Sequence, residues 1–246
     1  VVVSRPEQVA EAFADLAQTL VGDFDLAEAL DRVVGHCIRA AGAAGVGLVI
    51  QDGNGVLRDI AYSDERVRLL EREQVRNGEG PCVDCVRTGG PVVAEDLHAE
   101  RDRWPRFVPD ATQAGFLCVR ALPLRYYDRT LGALNLFDRQ PGHCSGASMR
   151  AAQAFADLAM LAVVQHSRPS EGAAAHINRA LAGRSAIERA KGMLAQDGDL
   201  TFAEALEVLR NHAARTGEGP TQLAHALVRG DITTAAVLGT PLTETR

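Results

Sequence analysis

Arg184-Ser185-Ala186-Ile187-Glu188-Arg189-Ala190-Lys191-Gly192-Met193-Leu194 holds the only lysine in a chain of 246 residues; every other one of the 26 basic side chains is an arginine. Lysine offers a compact charge on a flexible stem, arginine a broad planar fork. Against that bias, either one lysine was left by chance or arginine would not serve at position 191. The stretch lies inside a helix expected from His176 to Ala195, with Ile177, Leu181, Ile187, Ala190 and Leu194 near helical spacing. Gly198 ends the region. Leu200-Thr201-x-x-Glu204 is a start signal for a second helix, because Thr201 can accept from the Glu204 amide while Glu204 reaches back. That helix carries Phe202, Ala205, Leu206, Leu209 and Ala213 and ends near Gly217. Pro220 suits the first turn of a third helix, running through Leu223, Ala226, Leu227 and Val228 to Gly230. Three helices over about fifty residues make a minimal bundle.

R-x-x-I-x-x-A-K-G-M-L, followed by Ala203-Glu204-Ala205-Leu206 and Leu209-Arg210-x-x-Ala213, resembles the ANTAR domain from about His176 to Gly230. The resemblance implies an RNA-binding module of a transcription antiterminator, whose family members bind paired short stem-loops in nascent transcripts and block terminator formation. Arg184 and Lys191 are two helical turns apart and point nearly the same way, so they can meet one phosphate path together. Gly192 costs about 1 kcal/mol relative to alanine inside a helix. Two offsets suggest themselves, close approach of an RNA backbone or tight packing of another helix. Arg189 points elsewhere, as a solvated charge or a fringe of the patch. Arg210 matches the family pattern on the second helix, and Arg215 extends the patch or serves as a helix-end cation. Leu206 departs from the family, where that position is often aromatic, and its loss removes a stacking platform or a core ring.

Upstream, Ser4 with Glu7 and Asp25 with Glu28 signal two helices, through about Leu20 and about Ala41. Val46–Ile50 and Val56–Tyr62 read as a hairpin about the turn Gln51-Asp52-Gly53-Asn54-Gly55. Asp64–Gln74 is helical, and Gly78-Glu79-Gly80-Pro81-Cys82 opens a short helix. Pro91–Ala94 is a strand, and Trp104–Ala114 holds a short helix. Leu117–Leu124 and Thr130–Phe137 form a second hairpin, and a long helix runs from about Ala147 to Ser167. G-E-G-P-C, G-G-P-V-V-A-E-D-L, W-P-R-F, A-L-P-L-R and L-G-A-L-N-L-F together resemble GAF domains of the actinobacterial type, over roughly residues 13 to 165. That family implies an antiparallel sheet flanked by helices, acting as a small-molecule or redox sensor and as a dimerisation unit.

Five cysteines are Cys37, Cys82, Cys85, Cys118 and Cys144, an odd set with no disulfide framework expected. Cys82-Val83-Asp84-Cys85 lies at a helix N-terminus, a location that lowers a thiol pKa. One C-x-x-C lacks the second ligand pair of a structural zinc site, though His98, Cys118 and His143 can complete one in space. The plainer reading is two small buried cysteines in a turn. Cys82, Cys85, Cys118 and Trp104 form the candidate redox or ligand pocket. The cysteines also admit a thiol enzyme like the GAF-fold reductases of free methionine sulfoxide. No catalytic residue, metal site or phosphate loop stands out, and the cofactor is left open.

Net charge is −6, against strong non-specific attraction to polyanions, so nucleic-acid binding needs a local patch. The last two helices also admit a DNA-reading helix-turn-helix, but Pro220-Thr221-Gln222-Leu223-Ala224-His225 is almost empty of base-reading side chains. No apolar run is long enough for a membrane span, and that at Val1-Val2-Val3 is too short for a signal peptide, so a cytoplasmic chain is expected. The expected fold class is α+β, a GAF sensor over 1–167 followed by a small three-helix ANTAR bundle over 173–230. A linker over 168–172 and a loose tail over 231–246 complete the chain. The expected function is a signal-responsive antitermination regulator with three partners: RNA stem-loops, an unidentified small molecule and a second copy of the chain.

Overall fold

The computed structural model describes residues 5–142, 146–165 and 173–239. Ser4, His143, Cys144, the linker 168–172 and the end of the tail lie outside these residues. The N-terminal module is a five-stranded antiparallel sheet in the order β2-β1-β5-β4-β3. Its strands are β1 (Gly45–Gln51), β2 (Leu57–Tyr62), β3 (Val92–Ala94), β4 (Cys118–Tyr126) and β5 (Arg129–Asp138). Both expected hairpins are present. Side chains alternate faces along a strand, and here both faces are buried. Val46, Leu48 and Ile50 of β1 pack with α1 (Arg5–Val21), α2 (Leu26–His36) and α6 (Gly146–Gln165). Val49, Val119, Ala133 and Phe137 point the other way, into a layer shared with α3 (Glu65–Asn77), α4 (Pro81–Thr88) and α5 (Phe107–Gln113).

Local signals explain the helix boundaries. Asp25 accepts from the Glu28 amide at 3.1 Å and starts α2. Asp64 caps α3, and Pro81 opens α4. The C-terminal bundle consists of α7 (Ala173–Gly198), α8 (Phe202–Thr216) and α9 (Pro220–Arg229). Thr201 and Glu204 form the reciprocal capping box of α8. The loose tail is corrected in part: α10 (Thr234–Leu238), capped by Thr233, buries Val237 against the bundle. A five-residue helix leaves too short a periodic pattern to register in sequence.

The two modules share more than a linker. Ile177 and Ala180, at the start of α7, belong to the sensor's apolar layer, while Ala186, Ile187, Ala190 and Leu194 belong to the bundle core. Ala27 of α2 joins that bundle core in return. One helix is thus built into both modules. No helix among the described residues is long and apolar enough to cross a membrane.

Candidate functional site

Three of the candidate basic residues, Arg184, Lys191 and Arg210, converge at the junction between the modules. Arg184 and Lys191 lie on one face of α7 with Glu188 between them. Arg184 donates to Glu188 at 3.3 Å, and Lys191 Nζ sits 3.0 and 3.1 Å from the two Glu188 oxygens. Across the junction, Asp31 of α2 accepts from Arg184 at 3.1 Å with one oxygen and from Arg210 of α8 at 2.7 Å with the other. Tyr62, at the end of β2, presents its ring to the same cluster. The Arg184 guanidinium lies 4.4 Å from the ring centroid and the Lys191 ammonium 5.9 Å. Arg184 and Lys191 are buried, and Arg210 is partly exposed.

Burial and ion pairing oppose each other in this cluster, and at Asp31 burial outweighs Arg184, Arg210 and Lys191, so its carboxyl lies above the usual range. Burial works against the charge on Arg184, but Asp31, Tyr62 and Glu188 outweigh it and hold its pKa above that of an ordinary arginine. Burial also opposes ionisation of Glu188, and Arg184 with Lys191 overcome it, so that carboxyl lies below its usual range. Burial pushes the Tyr62 hydroxyl up to about 12. Removing a member so that a buried charge is left with no partner is costly.

Arg189 is exposed on the opposite side of α7, and Arg215 is exposed at the end of α8, beside His212. Gly192 is not a packing position: a Cβ added there would meet nothing within 4 Å. Leu206 is half-buried against the bundle core. Sequence reasoning missed Asp31, Tyr62 and Glu188. Glu188 sits inside the motif, halfway between the two cations, which was a usable signal. Asp31 and Tyr62 reach the site only through tertiary docking.

A second contact clamps the junction. Asp25 caps α2 and also accepts from the Thr221 amide at 2.8 Å and the Thr221 hydroxyl at 2.9 Å, in the first turn of α9. A cleft of 870 Å³ opens beside it, lined by residues that include Gln18, Arg32, Arg179 and Gln222.

In the sensor, Cys82, Cys85, Cys118 and Trp104 are all fully buried. A lowered thiol pKa is corrected here. Burial and the nearby Glu71 push Cys82 well above the ordinary thiol value, and burial pushes Cys85 up to about 12. Desolvation of a thiolate outweighs the helix N-terminus when the sulfur has no water. The residue between them, Asp84, has a defined job: it accepts from Trp104 Nε1 at 3.2 Å and pairs with Arg87 and Arg103. His98 is exposed, and no group of three His, Cys, Asp or Glu side chains among the described residues is placed to hold a metal.

Beneath the sheet, Glu71 of α3 accepts from Asn135 of β5 at 2.8 and 2.9 Å and from Gln74 at 3.1 Å. Gly47 of β1 is registered opposite Asn135, and its missing side chain leaves the space that the Glu71 carboxyl fills. Gln74 in turn accepts from the Cys82 amide.

Comparison with known proteins agrees with this architecture. A family model described as GAF domain matches residues 24–164, and one described as ANTAR domain matches residues 175–228. Comparison with curated proteins gives no match. Among solved structures, the GAF domain of a phosphoenolpyruvate-protein phosphotransferase from Coxiella burnetii has a TM-score of 0.52 at 18% identity, covering 65% of this chain and 95% of that one. The corresponding GAF domain from Acinetobacter gives 0.50 at 13%, with 66% and 97% covered. Free methionine-R-sulfoxide reductase from Neisseria meningitidis gives 0.47 at 15%, with 66% and 89% covered. The chain belongs to the GAF domain family, and its GAF domain is followed by an ANTAR domain.

Proposed function

We propose that this chain is a signal-responsive RNA-binding regulator of transcription antitermination. The GAF domain takes up a small-molecule or redox signal and governs whether the ANTAR domain reaches stem-loops in nascent RNA. One observation carries this reading: three cations of the ANTAR motif, Arg184, Lys191 and Arg210, are engaged at once by the sensor's Asp31 and Tyr62 and by Glu188. A carboxylate gripped by two guanidinium groups occupies the position that a phosphate would take. The arrangement therefore holds the RNA-binding face closed, and a signal that loosens α2 from α7 and α8 opens it. With a net charge of −6, the chain as a whole does not attract polyanions, so exposing this patch changes binding sharply.

Neither alternative gains support. A thiol enzyme needs an accessible thiolate, and the C-x-x-C sulfurs are buried with raised pKa values. A DNA-reading third helix needs a free first turn, and that of α9 is docked on Asp25.

The test is titration of the full chain with a two-hairpin RNA, a scrambled RNA and duplex DNA, at low and near-physiological salt, beside Asp31→Asn. Hydrogen bonds to charged groups contribute about 1.5–3 kcal/mol. Freeing the patch should therefore raise hairpin affinity about tenfold or more without a matching gain for scrambled RNA. Equal, salt-labile binding of all three nucleic acids by both proteins would sink the reading.

A further inference from the structure

Of the seven phenylalanines, six are buried or half-buried, and Phe202 alone is exposed, at 61%. It occupies the first position of α8, directly after the Thr201 cap. Single exposed apolar side chains are common on protein surfaces, but the surroundings of this one are unusual. The Lys191 ammonium lies 5.9 Å from its ring centroid. Gly192, next to that lysine, leaves open space above the helix. Leu206, one turn further along α8, packs against the bundle core, so the turn carrying Phe202 is not loosely attached. Glu204, the acidic residue closest in sequence, has its carboxylate committed to Thr201, at 2.8 Å from the amide and 2.7 Å from the hydroxyl. The capping box fixes the backbone of α8 at the point where the ring leaves it.

We infer that Phe202 is a stacking platform for an unpaired base of the RNA loop, with the adjacent Lys191 taking the phosphate beside that base. The inference rests on the RNA-binding reading above and adds a residue and a ligand chemistry to it. Single-stranded loops are bound by pairing an aromatic face, on which any base can stack, with a neighbouring cation for the backbone. The bare surface at Gly192 gives the nucleotide room to approach Lys191. In the closed arrangement the ring is exposed but the lysine faces the sensor's Tyr62, so half of this subsite is withheld until the junction opens.

The experiment uses the full chain with and without Asp31→Asn, each also carrying Phe202→Leu or Phe202→Trp. The probes are a two-hairpin RNA, the same RNA with a fluorescent adenine analogue or an abasic site in its loops, and the stem duplex alone. Phe202→Leu should weaken hairpin binding about tenfold, within the range of one base–aromatic stack, and abolish quenching of the loop fluorophore. Phe202→Trp should keep both. An abasic loop should erase the difference between the parent and Phe202→Leu, and stem-duplex binding should not respond to either change. Unchanged hairpin affinity and quenching in Phe202→Leu would overturn the assignment while leaving RNA binding by the ANTAR domain intact. Loss of affinity that tracks loss of a dimer in sedimentation would overturn it too, making the ring a contact with a second copy. If neither parent protein binds the hairpin RNA, the RNA-binding reading fails and this inference fails with it.

Discussion

Lys191 stands between two aromatic rings, Tyr62 of the sensor and Phe202 of the bundle, its ammonium 5.9 Å from each centroid. An arginine fork, broad and planar, has a different shape and reach from an ammonium in that gap. Lys191→Ala leaves Glu188 with Arg184 as a partner, so no buried carboxylate is stranded. Thermal unfolding should shift by no more than the loss of one charged hydrogen bond, about 1.5–3 kcal/mol, and hairpin RNA binding should weaken. Unfolding of the bundle, or unchanged affinity, would remove the lysine from the RNA-binding role. Gly192 gives a cleaner separation of fold from function. Because an added Cβ meets nothing, Gly192→Ala should stabilise α7 by about 1 kcal/mol. If an RNA backbone approaches the helix there, the same methyl should cost affinity, so the melting temperature rises while hairpin binding falls. A rise in both, or stability gained with affinity untouched, would mean that RNA does not approach at 192.

Glu71 on α3 shows how an element can be anchored by a proton. Burial pushes its carboxyl up to about 8, from 4.5 for an ordinary glutamate. The folded chain thus keeps a proton that the unfolded chain releases over that interval. Stability should fall as pH rises between those two values and level off above them, with a slope of at most about 1.4 kcal/mol per pH unit. Glu71→Gln should flatten this dependence and raise the melting temperature at pH above about 8, since Asn135 Oδ1 has no hydrogen-bond partner and can accept from the new amide. A wild-type melting temperature that does not fall across this interval would show that the carboxyl is ionised in the folded state. Most elements were legible in the sequence because their signals are local. Thr201 with Glu204, Asp25 with Glu28, Pro220, and the turn residues between alternating strands each act within a few positions. The candidate site was legible only on its C-terminal side. Asp31 reads as one charged residue on an amphipathic helix, and Tyr62 as the last residue of a strand; nothing within reach of either announces that α7 and α8 dock there. The cysteines failed for the same reason. The helix N-terminus beside Cys82 is visible in sequence, but the burial that reverses its effect is not.

The two domains are held together by α2, which offers Asp25 to α9, Ala27 to the bundle core and Asp31 to α7 and α8. If RNA binds only the open arrangement, its apparent affinity is the intrinsic affinity reduced by the fraction of molecules that are open. Linkage then requires the converse: RNA must open the junction by the same factor. Spin labels on Gln18→Cys and Gln222→Cys, which line the cleft from opposite domains, report this directly. Cys37, Cys82, Cys85 and Cys118 are buried and should resist labelling, so the pair needs only Cys144→Ser as background. The free chain should give one short distance distribution. Saturating hairpin RNA should replace it with a longer one, scrambled RNA should not, and Asp31→Asn should show the longer population before any RNA is added. Arg184→Ala should open the junction similarly, because it removes the other half of the Asp31 clamp, yet it should bind hairpin RNA weakly. Opening and binding are thereby separated: Asp31 acts only on the first, Arg184 on both. If bound hairpin leaves the short distance in place at saturation, RNA uses a face outside the junction, and the contacts of Asp31 with Arg184 and Arg210 simply dock one domain on the other.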